Sequence, residues 1–408
     1  MSSATLLPNL FRLAANRRIL LLQGPIGGFF RQLADWLTQR HCEVFKINLN
    51  CGDELFYPAH SPRTFAYKDN LSDFHIYLRD FIQKNQIDAV VCFGDNRAYH
   101  NIAKQICQTL PETQFWVFEE GYFRPFWVTL EQTGVNAHSP LPRDADFFVA
   151  QLPHLPKQAD LNPPPVRGGF LPVAQLAMRY YGAMYFGRRD FPSYRHHRFH
   201  EIPHYVKLWL ISGCKRAYYA VSERWFVNKI KQGRFGRFFV LPLQVFNDSQ
   251  VRIHSDFGSV REFLLYVLQS FAQHAPDHTQ LLIKHHPMDR GFIDYADDIR
   301  QFIAQQPHLI GRVHYVHDVP LPVFLRYGVG MVTLNSTSGL SALIHNMPVK
   351  VLGRAHYDMA GLTDQQDLAD FWHKPQAPNA KLFEAYRAYH LNMTQIHGSF
   401  YSKVNLPT

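Results

Sequence analysis

At 408 residues the chain is longer than one hydrophobic core ordinarily serves, so two domains of roughly 150–200 residues are expected. Hydrophobic residues make up 46% and charged residues 18%, which excludes disorder over most of the length. The net charge of +9 is local: from Arg167 to Arg237 fourteen Lys and Arg stand against Asp190, Glu201 and Glu223, a balance of +11 that leaves the rest of the chain near −2, and no nucleic-acid partner is expected from it.

The five cysteines are odd in number and lack CxxC or Cys/His spacing, as in a reduced, cytosolic protein. No signal peptide is apparent. No run reaches the ~18–20 apolar residues that span a bilayer, so the expected location is the cytoplasm.

In chain order, Ile19–Leu22 reads as an apolar strand, followed by the turn Gln23-Gly24-Pro25-Ile26-Gly27-Gly28, an amphipathic helix over about 29–39 and a strand over about 44–49. That is the opening of a doubly wound α/β domain. The turn does not fit GxGxxG; it either holds an acceptor group at a helix start or only turns tightly. Strand Ala89–Phe93 runs into Gly94-Asp95-Asn96-Arg97, and strand Gln114–Phe118 into Glu119-Glu120-Gly121-Tyr122, with Arg124 close behind. Polar residues thus collect at strand ends, where open α/β sheets bind ligands. Glu119 and Glu120 could share a proton as acid or base, or pair with arginines.

The Pro-rich stretch Leu152–Pro165 marks a boundary. The basic segment after it also carries Tyr180, Tyr181, Tyr185, Trp209, Tyr218, Tyr219 and Trp225, a mixture suited to anionic lipid headgroups or to stacked bases, or else a solvated face over ordinary core aromatics.

From Arg237 a second α/β rhythm begins. Its first strand leads into Gln244-Val245-Phe246-Asn247-Asp248-Ser249, a turn sequence on its own terms and also a place for a carboxylate beside an anomeric carbon. After a helix over about 260–273, an apolar strand ends in Lys284-His285-His286-Pro287. These are donors suited to a phosphate leaving group, unless the strand merely stops there. A further strand ends in Asn335-Ser336-Thr337-Ser338-Gly339, a hydroxyl-rich turn opening a helix, suited to an anion or to simple capping. A last helix, about 380–395, is expected to cross back to the first domain.

Taken together, GDNRAYH, FEEGYFRPFWVTLE, LPLQVFNDSQ, KHHPMDRG and LNSTSGLSALI, in this order, resemble the landmarks of the capsule biosynthesis family that contains KpsS and LipB. The resemblance implies an α/β, GT-B-like fold: two Rossmann-like domains facing a central cleft. The expected layout is an acceptor domain over 1–165, a basic, membrane-facing segment over 166–237, a CMP-sugar domain over 238–379 and the returning helix over 380–408. It also implies a retaining β-Kdo transfer from CMP-β-Kdo to a lysophosphatidylglycerol acceptor, at the start of the poly-Kdo linker of a capsule. Asp248 would be the nucleophile and Glu119 or Glu120 the acid/base. His286, with Lys284, His285, Pro287 and the turn Asn335–Gly339, would hold the CMP-sugar. Gln23, Gly24, Asp95, Arg97, Arg124 and Gln244 would contact substrate. No metal or other cofactor is expected, and the expected partners are an anionic membrane surface on the cytoplasmic side of the inner membrane, a KpsC-type transferase and the capsule export complex. The alternatives are a transferase using another CMP-sugar, such as sialic acid, or a non-catalytic lipid-binding component of that export machinery.

Overall fold

The computed structural model describes residues 7–155, 164–166, 170–195, 202–247 and 249–407. The chain forms two compact units, one from Met1–Leu141, Gln151–Ile202 and Arg387–Thr408, the other from Pro142–Ala150 and Pro203–Tyr386.

In the first unit, strands β1 (Arg18–Leu21), β2 (Glu43–Asn48), β3 (Thr64–Ala66), β4 (Ala89–Phe93), β5 (Gln114–Glu120) and β6 (Trp127–Gln132) alternate with helices α1 (Pro8–Ala14), α2 (Phe29–Thr38), α3 (Cys51–Phe56), α4 (Phe74–Lys84) and α5 (Ala98–Thr109). The strands are apolar on both faces because successive side chains point opposite ways. Ile19 and Leu21 pack with Phe29, Leu33 and Trp36 of α2, whereas Leu20 and Leu22 pack with Phe74, Leu78 and Ala103 of α4 and α5. Helix α6 (Ala145–Gln151) follows β6, and α7 (Phe170–Phe186) returns to the first unit.

The second unit holds, in order, α8 (Ile202–Ser222), α9 (Arg224–Lys231), β7 (Arg237–Pro242), α10 (Ser249–Ile253), α11 (Val260–His274), β8 (Thr279–Lys284), α12 (Ala296–Gln305), β9 (Val313–Val316), α13 (Leu321–Tyr327), β10 (Gly330–Thr333), α14 (Ser338–Ile344), β11 (Val349–Val351) and α15 (Leu368–His373). Then α16 (Ala380–Met393) carries the chain into the first unit, where β12 (Gln395–His397) pairs antiparallel with β6.

The sheet orders are β12-β6-β5-β4-β1-β2-β3 and β11-β10-β7-β8-β9. Each contains five parallel strands in the doubly wound order 3-2-1-4-5, so each has a switch point between its first and fourth strands, where ligands bind in such sheets. Both units are therefore Rossmann-like, the pair of units that makes up a GT-B chain.

The basic stretch 166–237 is not a body of its own. Helix α7 belongs to the first unit, because Gly52 of α3 leaves room for the Tyr180 ring and Gly187 for Cys51. Helices α8 and α9 belong to the second. Among the described residues no helix is long and apolar enough to cross a membrane.

Candidate functional site

At the switch point of the first unit, Gln23 follows β1 and is buried. Its Nε2 donates to the Tyr180 and Tyr194 hydroxyls, both at 3.0 Å, and Arg97 Nη1 donates to its Oε1 at 2.8 Å. A side chain at Gly24 would run into the Phe30 ring, and Gly27 has φ 121°, so the turn is tight for steric reasons. Asp53 joins the cluster, accepting from Tyr180 Oη at 3.0 Å and from the Leu49 N–H at 3.0 Å. Sequence reasoning passed over Asp53, and it left Tyr180 open between a lipid-facing stretch, stacked bases and ordinary core packing; neither side chain stands at the end of an apolar run, where such residues are looked for.

Asp95 is drawn inward rather than standing at the strand end. Its Oδ2 meets Lys104 Nζ at 3.0 Å and His138 Nδ1 at 2.8 Å. These partners outweigh burial and hold its carboxyl below the usual range. Its placement is that of a buried ion pair.

Glu119 lies beside Gly94, where a φ of 71° favours glycine, and its Oε1 accepts the Glu120 N–H at 2.9 Å. Burial pushes the carboxyl up to about 7; the Glu120 charge adds to the rise, while the Glu120 N–H, Arg124 and Arg97 oppose it. The Tyr401 hydroxyl neighbours Glu120, whose charge, after burial, raises its pKa. Arg124 is exposed.

In the second unit three strand ends meet. Gln244, past β7, donates through Nε2 to Asn335 Oδ1 at 2.9 Å, and Asn335 Nδ2 donates to the His254 carbonyl at 3.2 Å. This link bridges the switch point between β7 and β10. The Ser336 hydroxyl accepts the Ser338 N–H at 3.2 Å and donates to Ser338 Oγ at 3.0 Å, while Thr337, at the N-cap of α14, makes no side-chain cap. Gly339 leaves space for the Tyr357 ring, whose hydroxyl donates to the Ser336 carbonyl at 2.5 Å.

On the other side of β7, Lys284 ends β8. Burial, helped by the nearby Arg290 charge, lowers its pKa to about 8, so at neutral pH it is still a cation. His285 and His286 point opposite ways, as neighbours in extended chain must. His285 turns into the packing against Tyr315 and His317, where burial first, then His317, lowers its pKa to about 3. It is thus a neutral packing group and not the cationic donor expected from the sequence. His286 Nδ1 accepts the Met288 N–H at 3.2 Å and caps the short 3₁₀ turn Pro287–Asp289. That bond makes Nε2 the N–H end of the neutral ring. Asp289 is buried and accepts the Phe246 N–H at 2.8 Å, tying the loop to the segment that leads to Asp248. Asp248 itself lies outside the described residues.

Contrary to the expectation that no Asp-x-Asp pair is present, Asp144-Ala145-Asp146 is one; both acids are exposed, and Asp144 Oδ1 accepts the Asp146 N–H at 3.0 Å at the start of α6.

Two Rossmann-like units with polar side chains gathered at strand carboxyl ends define a glycosyltransferase-like chain of the GT-B type. The chain belongs to the capsule polysaccharide biosynthesis protein family, whose model matches residues 88–401. It is 57% identical to the capsule polysaccharide modification protein LipB of Neisseria meningitidis over 401 residues, covering 98% of this chain and 95% of that one. It is 39% identical to the capsule polysaccharide export protein KpsS of Escherichia coli over 389 residues, covering 95% and 98%. Among solved structures it is similar to Thermosulfurimonas dismutans KpsC, beta Kdo 2,7 transferase, at 13% identity and a TM-score of 0.41, with 90% and 89% covered.

Proposed function

We infer that the chain is a retaining β-Kdo transferase that moves Kdo from CMP-β-Kdo to a lysophosphatidylglycerol acceptor, beginning the linker on which a capsule is built. The observation that carries the reading is the donor set on one sheet edge: Lys284, His286 Nε2 and the Gln244–Asn335 bridge with the Ser336–Ser338 turn. A cation, a ring N–H and clustered hydroxyls are what a departing phosphate needs, because each stabilises charge that grows as the glycosidic bond breaks.

Asp248 would attack the anomeric carbon from the face opposite CMP. The acceptor hydroxyl would then displace the carboxylate while Glu119 takes its proton, and two inversions return the β configuration. Gln23 and Arg97 are held by their mutual hydrogen bond at the other switch point and would orient the acceptor. Work on a lipid acceptor would keep the protein peripheral at the cytoplasmic face of the inner membrane, alongside a KpsC-type transferase and the export complex.

The test is incubation with CMP-Kdo and a fluorescent lysophosphatidylglycerol, followed by product mass and anomeric assignment by NMR. A single β-linked Kdo on the lipid is the expected product. Transfer from CMP-sialic acid and not from CMP-Kdo would overturn the donor assignment, and no transfer from either would overturn the activity.

A further inference from the structure

Helix α8 carries two stripes on opposite sides. Leu208, Ser212, Lys215, Tyr219 and then Glu223 recur every three or four residues and face the protein. Gly291 fits against the Leu208 carbonyl with no room for a side chain. Lys215 pairs with Asp294 at 3.4 Å, and Tyr219 stacks on His317 with ring centroids 3.9 Å apart and planes 3° from parallel. Glu223 accepts the His317 and Asp318 N–H groups, both at 2.7 Å. Asp318 in turn pairs with Arg290, and His317 packs on His285. The inner stripe therefore packs directly on Gly291 and Asp294, past the far end of the loop that follows Lys284, and reaches His285 and Arg290 through His317 and Asp318.

The outer stripe, two residues out of phase, is Leu210, Cys214, Tyr218 and Val221, continued by Trp225 of α9. Leu210 and Tyr218 are each 67% exposed, Val221 63% and Trp225 62%. A run of exposed apolar groups along about 22 Å of α8 and the start of α9 needs a covering partner. The charge around it selects that partner: Lys207, Arg216, Arg224, Lys229, Lys231 and Arg234 are all exposed, while the one acid from 203 to 236, Glu223, is turned inward. Tyr and Trp among apolar side chains, bordered by cations and no anions, match an anionic lipid surface.

We propose that the Leu210–Trp225 stripe lies in an anionic lipid surface and that, through the opposite stripe, lipid contact holds the Lys284–Arg290 loop in its donor-binding form. The coupling rests on the reading of that loop as the CMP site. Linkage then makes the two events reciprocal: lipid raises affinity for CMP, and CMP raises affinity for lipid.

The experiment compares wild type with a Leu210→Ser/Tyr218→Ser/Trp225→Ser variant, which is expected to keep the fold because the positions are exposed, with circular dichroism as the check. Pelleting with phosphatidylglycerol and phosphatidylcholine vesicles is measured, together with CMP affinity by calorimetry with and without vesicles. Wild type is expected to pellet at least tenfold better with phosphatidylglycerol, and to bind CMP at least threefold more tightly on those vesicles. The variant should lose both differences while keeping the vesicle-free CMP affinity. A variant that pellets like wild type overturns the lipid face, as does a wild-type dimer that the variant splits without loss of pelleting. Equal CMP affinity with and without vesicles overturns the coupling. Absence of CMP binding in every state overturns the nucleotide reading and the coupling with it, and pelleting still decides the lipid face.

Discussion

Glu119 shows how one residue's surroundings decide its chemistry. A carboxyl with a pKa pushed up to about 7 is ionised in only about half of the molecules at neutral pH, so a base role makes the rate climb as pH rises through that value. Glu119→Gln is expected to lower the transfer rate by ~10²–10⁴-fold and to flatten this limb of the pH–rate profile. A limb that survives in the variant would assign the proton transfer elsewhere. The nucleophile makes a different prediction, because it acts after the donor has bound. Asp248→Asn should abolish transfer and leave CMP affinity within a few-fold, whereas His286→Ala should weaken both, as phosphate contacts persist from the bound state to the transition state. Calorimetry with CMP beside single-turnover rates separates the two, and full turnover by Asp248→Asn would remove it from the reaction.

At the scale of elements, Tyr180 fastens α7 to the first sheet. Its buried hydroxyl receives hydrogen bonds from Gln23 and Asn50 at 3.0 Å and donates to Asp53 at 3.0 Å. Tyr180→Phe leaves three buried polar groups short of a partner, which is expected to cost ~1–3 kcal/mol; the urea midpoint reports it, and an unchanged midpoint would mean the groups re-pair. Apolar runs made much of this framework legible in the sequence. The strand expected over Ala89–Phe93 has those bounds, and the helices expected over 29–39 and 260–273 end within a residue of α2 and α11. The short strands β3 and β12 left no run to read, being three residues each. Motifs at strand ends were legible because function and topology coincide there. Asp53, Tyr180 and Glu223 were not, since their roles come from partners distant in sequence.

For the molecule as a whole, Glu131 is an internal liability. It is 1% exposed in β6, and burial, only partly offset by Ser139 and Tyr122, raises its pKa to about 8. Between its ordinary value of 4.5 and about 8 the folded state keeps a proton that the unfolded state has lost. Stability conferred by this group therefore falls as pH rises across that window. Glu131→Gln should raise the melting temperature at pH 8 and change it little at pH 5; an equal shift at both would show that charge is not the cause. The pairing of β12 with β6 has a consequence of another kind. Residues 142–386 are translated between the two strands, and Gln32 and Trp36 of α2 take their partners from the carbonyls of Val404 and Pro407. On the ribosome the first sheet thus waits with an unguarded border until the last segment emerges, although the second unit has all its strands earlier. Growing chains would meet chaperones and neighbouring polysomes in that condition, and a stop codon a few residues before β12 would spoil the half of the protein that was made first.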